Sequence, residues 1–299
     1  MIPLFPTFKD LEVIDREYVQ EYVRDFAPYS DFNFTSLWSW DTHSLRGLSM
    51  LDGNLIVRFT DYNTADPFYS IIGKSNINDA VLKLIAQAQS EGMSQTLKLI
   101  PEEVAKEVYS PALVVKEDRD YFDYVYSIEL LASFPGNSYK KKRELARRFM
   151  REHPNARYEI ANLAEVAVQE QLLATFHHWE TERHTHVPNE ETALRRICDL
   201  ARYHSLELGA IFEGDQILSF TIDELLSNGV VMGHFWKARY NIPGIYDVLA
   251  QKMALHLQSQ GGELWNWEQD LGILNLRYAK QSFRPTHLLK RYTIERRHA

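Results

Sequence analysis

The sequence predicts a mixed α/β (α+β) fold made of two tandem domains, each a mixed, mostly antiparallel sheet flanked by helices. Three observations predict this class. Helical and extended patterns alternate along the 299 residues. The order of predicted elements is similar in the two halves, although no sequence period links them. Turn-forming residues cluster at 133–137, so we expect domains at residues 1–130 and 131–299.

The first domain is predicted to alternate between amphipathic helices and aromatic-rich strands. The turn signal at 52–54 (Asp-Gly-Asn) joins two of the strands into a hairpin. Asp31 is expected near the start of a helix, and Asn78 is the expected N-cap of another. The predicted helices cover residues 15–26, 78–90 and 102–109, and the predicted strands cover residues 45–50, 55–59, 68–72, 97–100 and 121–130.

The second domain is predicted to end in a strand–turn–helix–strand–helix–strand run, which is how acyl-transfer folds of the GNAT type hold a donor. The turn in this run leaves backbone amides free at a helix N-terminus, which suits an anionic group. We therefore expect residues 131–299 to carry the active site. Helices are predicted at 138–153, 163–185, 190–204, 245–258 and 273–283, and strands at 158–160, 206–212, 216–225, 229–236, 263–270 and 288–294.

Composition and charge narrow the functional classes. No stretch approaches 18 consecutive apolar residues, and the first residues lack the pattern of a signal peptide. Cys198 is the only cysteine, which excludes an internal disulfide and fits a reducing compartment. We therefore expect a cytoplasmic protein. Residues 1–137 hold 11 Lys and Arg against 21 Asp and Glu, whereas residues 138–299 hold 22 against 20, so an anionic ligand should dock on the second half.

Several segments resemble one family. They are residues 29–34 (Tyr-Ser-Asp-Phe-Asn-Phe), residues 123–143 ending in Pro-Gly-Asn-Ser-Tyr-Lys-Lys-Lys-Arg, and residues 266–285, which begin Asn-Trp-Glu-Gln-Asp-Leu-Gly. The chain resembles a soluble family that shares its region with the C-terminal domain of phosphatidylglycerol lysyltransferase. The resemblance implies two tandem GNAT-like domains. Its lysyltransferase members move an aminoacyl group from aminoacyl-tRNA to a lipid headgroup, and the Fem-type peptidoglycan aminoacyltransferases are similar in fold. The sequence has no counterpart of the lipid enzyme's membrane domain, so the resemblance is a better guide to the fold than to the acceptor.

A basic helix is the first candidate binding element. Residues 140–151 contain seven Lys and Arg against one acid, and Arg143, Arg147 and Arg151 lie four residues apart on one face. Like charges at that spacing destabilise an isolated helix, and a phosphate-bearing partner would offset that effect. We predict that Lys140, Lys141, Arg143 and Arg147 bind an anionic donor such as tRNA. A solvated helix face is the alternative.

Two carboxylates at the end of a predicted strand are the candidate catalytic groups. In an extended strand, Asn266, Glu268 and Asp270 share one face. Burying two acids is unfavourable unless they are paired or take part in chemistry. Transfer of an acyl group to an amine needs a base, and either Glu268 or Asp270 could serve. The alternatives are a helix N-cap for Asp270 and a salt bridge to Arg277 or Arg284 for Glu268.

The remaining predicted site residues lie on the strand, turn and helix around these carboxylates. Tyr278 falls on the late helix, where GNAT enzymes often hold a tyrosine that protonates the leaving group, and a core aromatic is the alternative. The turn at 237–244 has one glycine and Pro243, so pyrophosphate binding in the usual coenzyme A manner is weakened. The predicted donor- or substrate-binding residues here are His234, Trp236, Lys237, Asn241, Gly244, Asn275, Lys280 and Arg284.

The histidines of the second half do not form a known zinc motif. His177, His178, His184 and His186 lie near two glutamates, but no pair has helical two-His-plus-carboxylate spacing and no cysteine ligand is present. We therefore predict no metal.

The residues and the resemblance together predict an acyl- or aminoacyltransferase that uses an interdomain groove. The donor would be an anionic carrier, with aminoacyl-tRNA favoured over acyl-CoA, and the acceptor a small molecule or peptide with an amine or hydroxyl group. Two alternatives remain open. One is a non-catalytic binding protein that uses the groove for an anionic ligand, and the other is an acetyl-CoA-dependent N-acetyltransferase.

Overall fold

A computed structural model describes residues 1–61, 64–183, 189–239 and 241–297 of the chain, with the backbone alone at position 183. These residues form two compact units. Unit 1 contains residues 1–123, 269–274 and 288–299, and unit 2 contains residues 124–268 and 275–287. The predicted boundary at 130/131 stays a prediction. The last strand of the chain lies in unit 1 because it hydrogen-bonds to two strands there.

Unit 1 holds two sheets and four helices of the described residues. A four-stranded sheet has the order β1-β2-β3-β4, and a three-stranded sheet has the order β5-β14-β6. The strands are β1 (Lys9–Asp10), β2 (Gly47–Leu51), β3 (Asn54–Thr60), β4 (Pro67–Ile72), β5 (Leu97–Pro101), β6 (Leu113–Glu117) and β14 (Arg291–Arg296); the helices are α1 (Arg16–Val23), α2 (Phe34–Ser39), α3 (Ile77–Ser90) and α4 (Glu102–Ala105).

Unit 2 is built on a seven-stranded sheet with the order β13-β7-β12-β11-β10-β9-β8. Its strands are β7 (Asp123–Ser127), β8 (Arg157–Ala161), β9 (Glu207–Glu213), β10 (Gln216–Leu225), β11 (Val230–Ala238), β12 (Leu264–Asn266) and β13 (His287–Leu289). Its helices are α5 (Ile128–Ser133), α6 (Lys140–Glu152), α7 (Val166–Arg183), α8 (Glu190–Leu200), α9 (Ile245–Ser259) and α10 (Leu274–Ser282). In the part of the chain that the structure describes, no helix is long and apolar enough to span a bilayer.

Two irregularities in the middle of this sheet shape the candidate site. In the antiparallel pairing of β10 with β11, Ile222 faces Phe235 but Asp223 faces Gly233, so His234 is an extra residue that forms a β-bulge. The parallel pairing of β11 with β12 covers only Val230 to Met232. Among the described residues, the rest of β11 therefore does not pair with β12, and the two strands part after Met232.

Several predicted elements differ from those observed. The predicted strand at 121–130 ends at Ser127, whose hydroxyl accepts the Leu130 amide and starts helix α5. The predicted strand at 263–270 is only three residues long, because the chain leaves the sheet after Asn266. Strand β6 was not predicted. The N-cap of α3 is Asn76, and Asn78 instead accepts the Tyr109 and Ser110 amides.

Candidate functional site

The bulge on β11 places His234 between two carboxylates inside unit 2. One imidazole nitrogen, Nε2, lies 3.4 Å from Glu224 Oε2, and the other, Nδ1, lies 3.4 Å from Glu268 Oε1. Glu224 in turn accepts a 2.7 Å hydrogen bond at Oε1 from His204 Nε2. The four side chains therefore form one continuous line, His204–Glu224–His234–Glu268, which we call the carboxylate–imidazole line.

Exposure changes along the carboxylate–imidazole line. The side chains of His204, Glu224 and His234 are 4%, 2% and 1% exposed, whereas that of Glu268 is 16% exposed. Only the Glu268 end therefore reaches solvent. A ligand that approaches this face of unit 2 would meet Glu268 first, and the other three side chains would lie behind it.

The charge state of the line follows from its contacts. Burial lowers the pKa of His234, but the two flanking carboxylates outweigh that effect and raise the pKa to about 9. Burial also raises the pKa of Glu224, but the contacts with His204 and His234 outweigh burial and hold that pKa well below its usual range. At neutral pH the pair is therefore an imidazolium beside a carboxylate.

The backbone holds Glu268 in an unusual conformation. Its φ is +57°, which is the left-handed region that residues other than glycine rarely adopt. Its amide donates a 2.7 Å hydrogen bond to Asn266 Oδ1, and its carbonyl accepts the Tyr124 amide at 3.1 Å. A strained residue held by its surroundings is a feature that clusters at functional sites.

Asp270, the other predicted catalytic acid, lies in unit 1. Its side chain is fully buried, 3.2 Å from Arg119 Nη1, and its Oδ1 accepts the Gly272 amide at 2.9 Å. Because α10 begins only at Leu274, Asp270 is not its N-cap, and its side chain instead closes a turn with the Gly272 amide. Its role as a base stays a prediction.

Three indole rings lie where β11 and β12 part. The centroids of Trp236 and Trp267 are 4.3 Å apart, and Trp265 is 5.6 Å from Trp236 and 5.3 Å from Trp267. Phe283 packs against Trp267 at 5.0 Å. Trp236 was predicted to bind the donor, and it belongs to a packed aromatic cluster at the part of β11 that does not pair with β12.

The basic helix α6 has both partly buried and exposed cations. Arg143 donates to the carbonyls of Phe134 and Gly136, so it holds the preceding turn. Lys140, Lys141 and Arg147 are exposed, and Lys140 lies 3.8 Å from Glu144 on the same helix. Three of the four predicted anion-binding residues of this helix therefore face solvent, and Arg143 has a structural partner.

The turn before α9 packs closely against helix α6. A Cβ added to Gly244, whose φ is +85°, would lie 2.1 Å from the Leu145 carbonyl oxygen of α6. Glycine is therefore required here by the approach of α6. The first turn of α9 also contains Asp247, a buried acid 3.2 Å from Lys142, which already places negative charge at this helix N-terminus. Asn241 is exposed with φ +58°.

Lys237 is buried instead of lying in an open loop. Its ammonium lies 2.8 Å from Glu190 Oε1 and 3.6 Å from the centre of the Trp179 ring. An ion pair and a cation–π contact thus hold the side chain against α7 and α8. The expectation that Lys237 binds the donor stays a prediction, and it would require this side chain to leave both partners.

The four predicted residues on and after α10 have different surroundings. Tyr278 is 71% exposed, so the alternative that it covers the core is wrong. Asn275 is also exposed. The Lys280 ammonium donates to the Trp267 carbonyl, and Arg284 donates to the Ser138 carbonyl at 3.0 Å. The structure thus leaves Tyr278 and Asn275 accessible and gives both cations carbonyl partners.

No group of three or more potential ligands is arranged to hold a metal ion among the described residues. His177 pairs with Glu191 at 2.9 Å, and His178 lies 3.2 Å from Glu182. His184 and His186 lie outside the described residues.

The sequence reasoning did not identify Glu224 and His204. Glu224 follows Asp223 in a strand of otherwise mainly apolar and small residues, and both acids are fully buried. Two consecutive acids in a buried strand are a signal that could have been used. Asp223 points to other partners, since it accepts from the Thr221 hydroxyl and the Trp265 indole at 2.7 and 2.8 Å, and burial raises its pKa to about 7.

Comparison with known proteins gives consistent results. A structure of a conserved protein of unknown function from Bacteroides thetaiotaomicron is 24% identical, covers 99% of this chain and 100% of its own, and has a TM-score of 0.85. The C-terminal domain of a proposed lysylphosphatidylglycerol synthetase from Agrobacterium fabrum is 14% identical, with coverages of 94% and 90% and a TM-score of 0.65. The structure of L-PGS from Bacillus licheniformis is 13% identical, with coverages of 95% and 93% and a TM-score of 0.63. At these identities the structures establish the fold.

A curated relative matches over a shorter region. An uncharacterised protein of Mycoplasmoides gallisepticum is 23% identical over 176 residues, which are 58% of this chain and 56% of that protein. The match thus spans little more than half the length of the relative.

The family follows from the sequence match together with this fold. The family model described as phosphatidylglycerol lysyltransferase, C-terminal, matches residues 24–295, which is most of the chain. The mixed α/β acyltransferase-type fold predicted from the sequence is confirmed by the structural neighbours. The chain therefore belongs to the family of the phosphatidylglycerol lysyltransferase C-terminal region.

Proposed function

We propose that the protein is an aminoacyl- or acyltransferase in which Glu268 is the general base. The observation that carries the proposal is Glu268 itself, the solvent-accessible end of the carboxylate–imidazole line, which follows β12 and is held in a left-handed conformation. Family membership supports acyl transfer in general. The proposal adds that Glu268 is the base and that it takes the proton of the acceptor.

The proposed step begins with an amine or hydroxyl acceptor beside Glu268. The acceptor attacks the acyl carbon of the donor and passes its proton to the Glu268 carboxylate, so a new bond to the acyl carbon forms. The ester bond to the carrier then breaks, and the leaving oxygen takes a proton, for which Tyr278 is the predicted donor. Glu268 afterwards releases its proton to solvent, and Tyr278 takes up a proton from solvent, so both groups return to their starting states. Backbone amides of β11 after Met232, where the strand pairs with β10 but not with β12, are the proposed donors to the developing oxyanion.

An aminoacyl carrier is favoured over acyl-CoA by the turn before α9. Coenzyme A binding of the GNAT type uses several free amides at this turn, but Pro243 lacks one, Gly244 is in contact with α6, and Asp247 already supplies negative charge. The exposed cations Lys140, Lys141 and Arg147 lie on α6 and offer an alternative contact for the phosphates of a nucleic-acid carrier. The names of the neighbours, which include a lysylphosphatidylglycerol synthetase, point to lysine as the first aminoacyl group to test.

The test compares Glu268 with Asp270, because the sequence alone predicted either acid as the base. Purified protein is incubated with ethanolamine, which carries both an amine and a hydroxyl, and with radiolabelled lysyl-tRNA or acetyl-CoA as donor. We expect transfer from lysyl-tRNA, reduced at least about 100-fold in Glu268→Gln because the base is removed. Asp270→Asn is the matched control, and its folded fraction should retain transfer. Full activity in Glu268→Gln would overturn the assignment, and transfer from acetyl-CoA alone would overturn the carrier.

A further inference from the structure

We propose that Glu224 and His204 are positioning residues, which fix the His234 imidazole in the orientation that presents Glu268 to the acceptor. The inference rests on the proposed function for the role of Glu268. Neither Glu224 nor His204 can touch a substrate where it lies, since both side chains are almost completely buried. Their effect must therefore pass through His234.

The first argument is the division of contacts on Glu224. Its Oε1 is taken by His204 at 2.7 Å and its Oε2 lies 3.4 Å from His234. Each carboxylate oxygen thus has its own imidazole, and rotation of the carboxylate would break both contacts together. Because His204 fixes Glu224, it also fixes the plane in which Glu224 meets His234.

The second argument is energetic. A buried carboxylate and two buried imidazoles must each lose hydration, and well-packed apolar residues of similar volume often stabilise a fold equally well or better. The line is closed to solvent at His204 and open at Glu268. An ion pair that only stabilises the fold does not need a solvent-exposed residue. A cluster that presents a base to a ligand must have one.

The third argument concerns charge. His234 faces Glu224 and Asp223 from β10 and Glu268 from beyond β12, with His204 behind Glu224. With Glu224 ionised, His234 stays protonated and has an N–H to aim at Glu268 while that carboxylate accepts and releases a proton. Without Glu224 the imidazole loses one of its two anionic contacts, and its tautomer and tilt are no longer set.

The experiment follows the ionisation of His234 in the full chain by NMR of ring-labelled histidine. In Glu224→Gln we expect the midpoint of the His234 titration to fall by about one pH unit or more, because an anionic partner has been removed. Glu207→Gln is the matched control. It removes the carboxylate partner of a different histidine, His256, at 3.0 Å, and should leave the His234 midpoint where it is. An unchanged midpoint in Glu224→Gln would overturn the inference.

The same variants are then assayed with lysyl-tRNA and ethanolamine across pH. We expect kcat to fall at least about tenfold in Glu224→Gln with KM nearly unchanged, and the alkaline limb of the pH profile to move to lower pH. A loss of folding alone would scale activity equally at every pH and would show in the circular dichroism spectrum. His204→Asn, which keeps an amide donor near Glu224, should move the alkaline limb of the pH profile in the same direction by a smaller amount. This variant replaces Glu224→Gln in the test if Glu224→Gln does not fold.

The two proposals fail in different ways. Wild-type protein that transfers nothing from either donor removes the proposed function, and the positioning role goes with it. Transfer that depends on Glu268 but keeps its rate and pH profile in both Glu224→Gln and His204→Asn removes only the positioning role.

Discussion

The two units bury ionic groups in different ways. In unit 1, Arg291 lies 2.7 Å from Asp31 and 3.0 Å from Asp123, and all three side chains are at most 1% exposed. In unit 2, His234 also lies between two carboxylates, but one of them, Glu268, reaches solvent. A guanidinium keeps its charge at any ordinary pH, whereas an imidazole does not. The closed, permanently charged cluster is suited to holding a fold, and the open, titratable one to chemistry.

The largest expected effect tests the structural side of this comparison. Arg291→Ala should lower the free energy of unfolding by about 3–5 kcal/mol, because Asp31 and Asp123 would remain buried without their cation. Urea denaturation followed by fluorescence measures the change. Arg296→Ala, at the exposed end of the same strand β14, is the control and should stay within about 0.5 kcal/mol of wild type. Equal effects of the two variants would remove the distinction between the clusters.

An intermediate effect concerns pH. The pKa of His234 is raised from 6.5 to about 9 in the folded protein, so its contribution to stability is complete below about pH 6.5 and is lost as pH rises through about 9. The shift corresponds to at most about 3 kcal/mol. We expect the free energy of unfolding to fall between about pH 7 and pH 9.5 in wild type and to fall much less in His234→Gln. Parallel curves for the two proteins would show that His234 is not stabilised as an imidazolium.

The smallest expected effect is on the open end of the line. Glu268→Gln should lower the free energy of unfolding at pH 7 by about 1–2 kcal/mol, because His234 loses one of its two anionic contacts while the partly solvated side chain keeps its backbone contacts. Thermal and urea denaturation beside wild type measure it. A loss as large as that of Arg291→Ala would place Glu268 with the structural ion pairs and weaken its assignment as a base.

The parts of the fold that depend on neighbouring residues were predictable from sequence. The hairpin of β2 and β3 follows from the turn signal at 52–54, although Asn54 already belongs to β3 and faces Leu51. The segment at 121–130 was wrong at its end because an apolar run fits a strand and a buried helix equally well, and Ser127 decides between them. The assignment of β14 to unit 1 depends on pairing with β5 and β6, far away in sequence, which no local pattern reports.

Two residues of the carboxylate–imidazole line, Glu268 and His234, were predicted as site residues from the sequence. Glu268 could be singled out because an acid in a strand needs a partner or a task. His234 was named as a donor-binding residue and turns out to contact Glu268. Their link to Glu224 depends on the bulge, and the link to His204 depends on the packing of the segment after α8 against the sheet. Neither link produces a recognisable residue spacing in the sequence, so both could be identified only from the three-dimensional structure.

The extra residue on β11 has a further consequence for related chains. If position 234 were deleted, Gly233 would still face Asp223 and Phe235 would still face Ile222, and the ladder would become regular. The sheet therefore does not need this residue, and every other side chain of the strand would keep its face. A homologue one residue shorter at this point would keep the architecture and lose the imidazole. We therefore expect the presence or absence of this one residue to separate family members that have this chemistry from those that have only the fold. Overall sequence similarity should separate them less well.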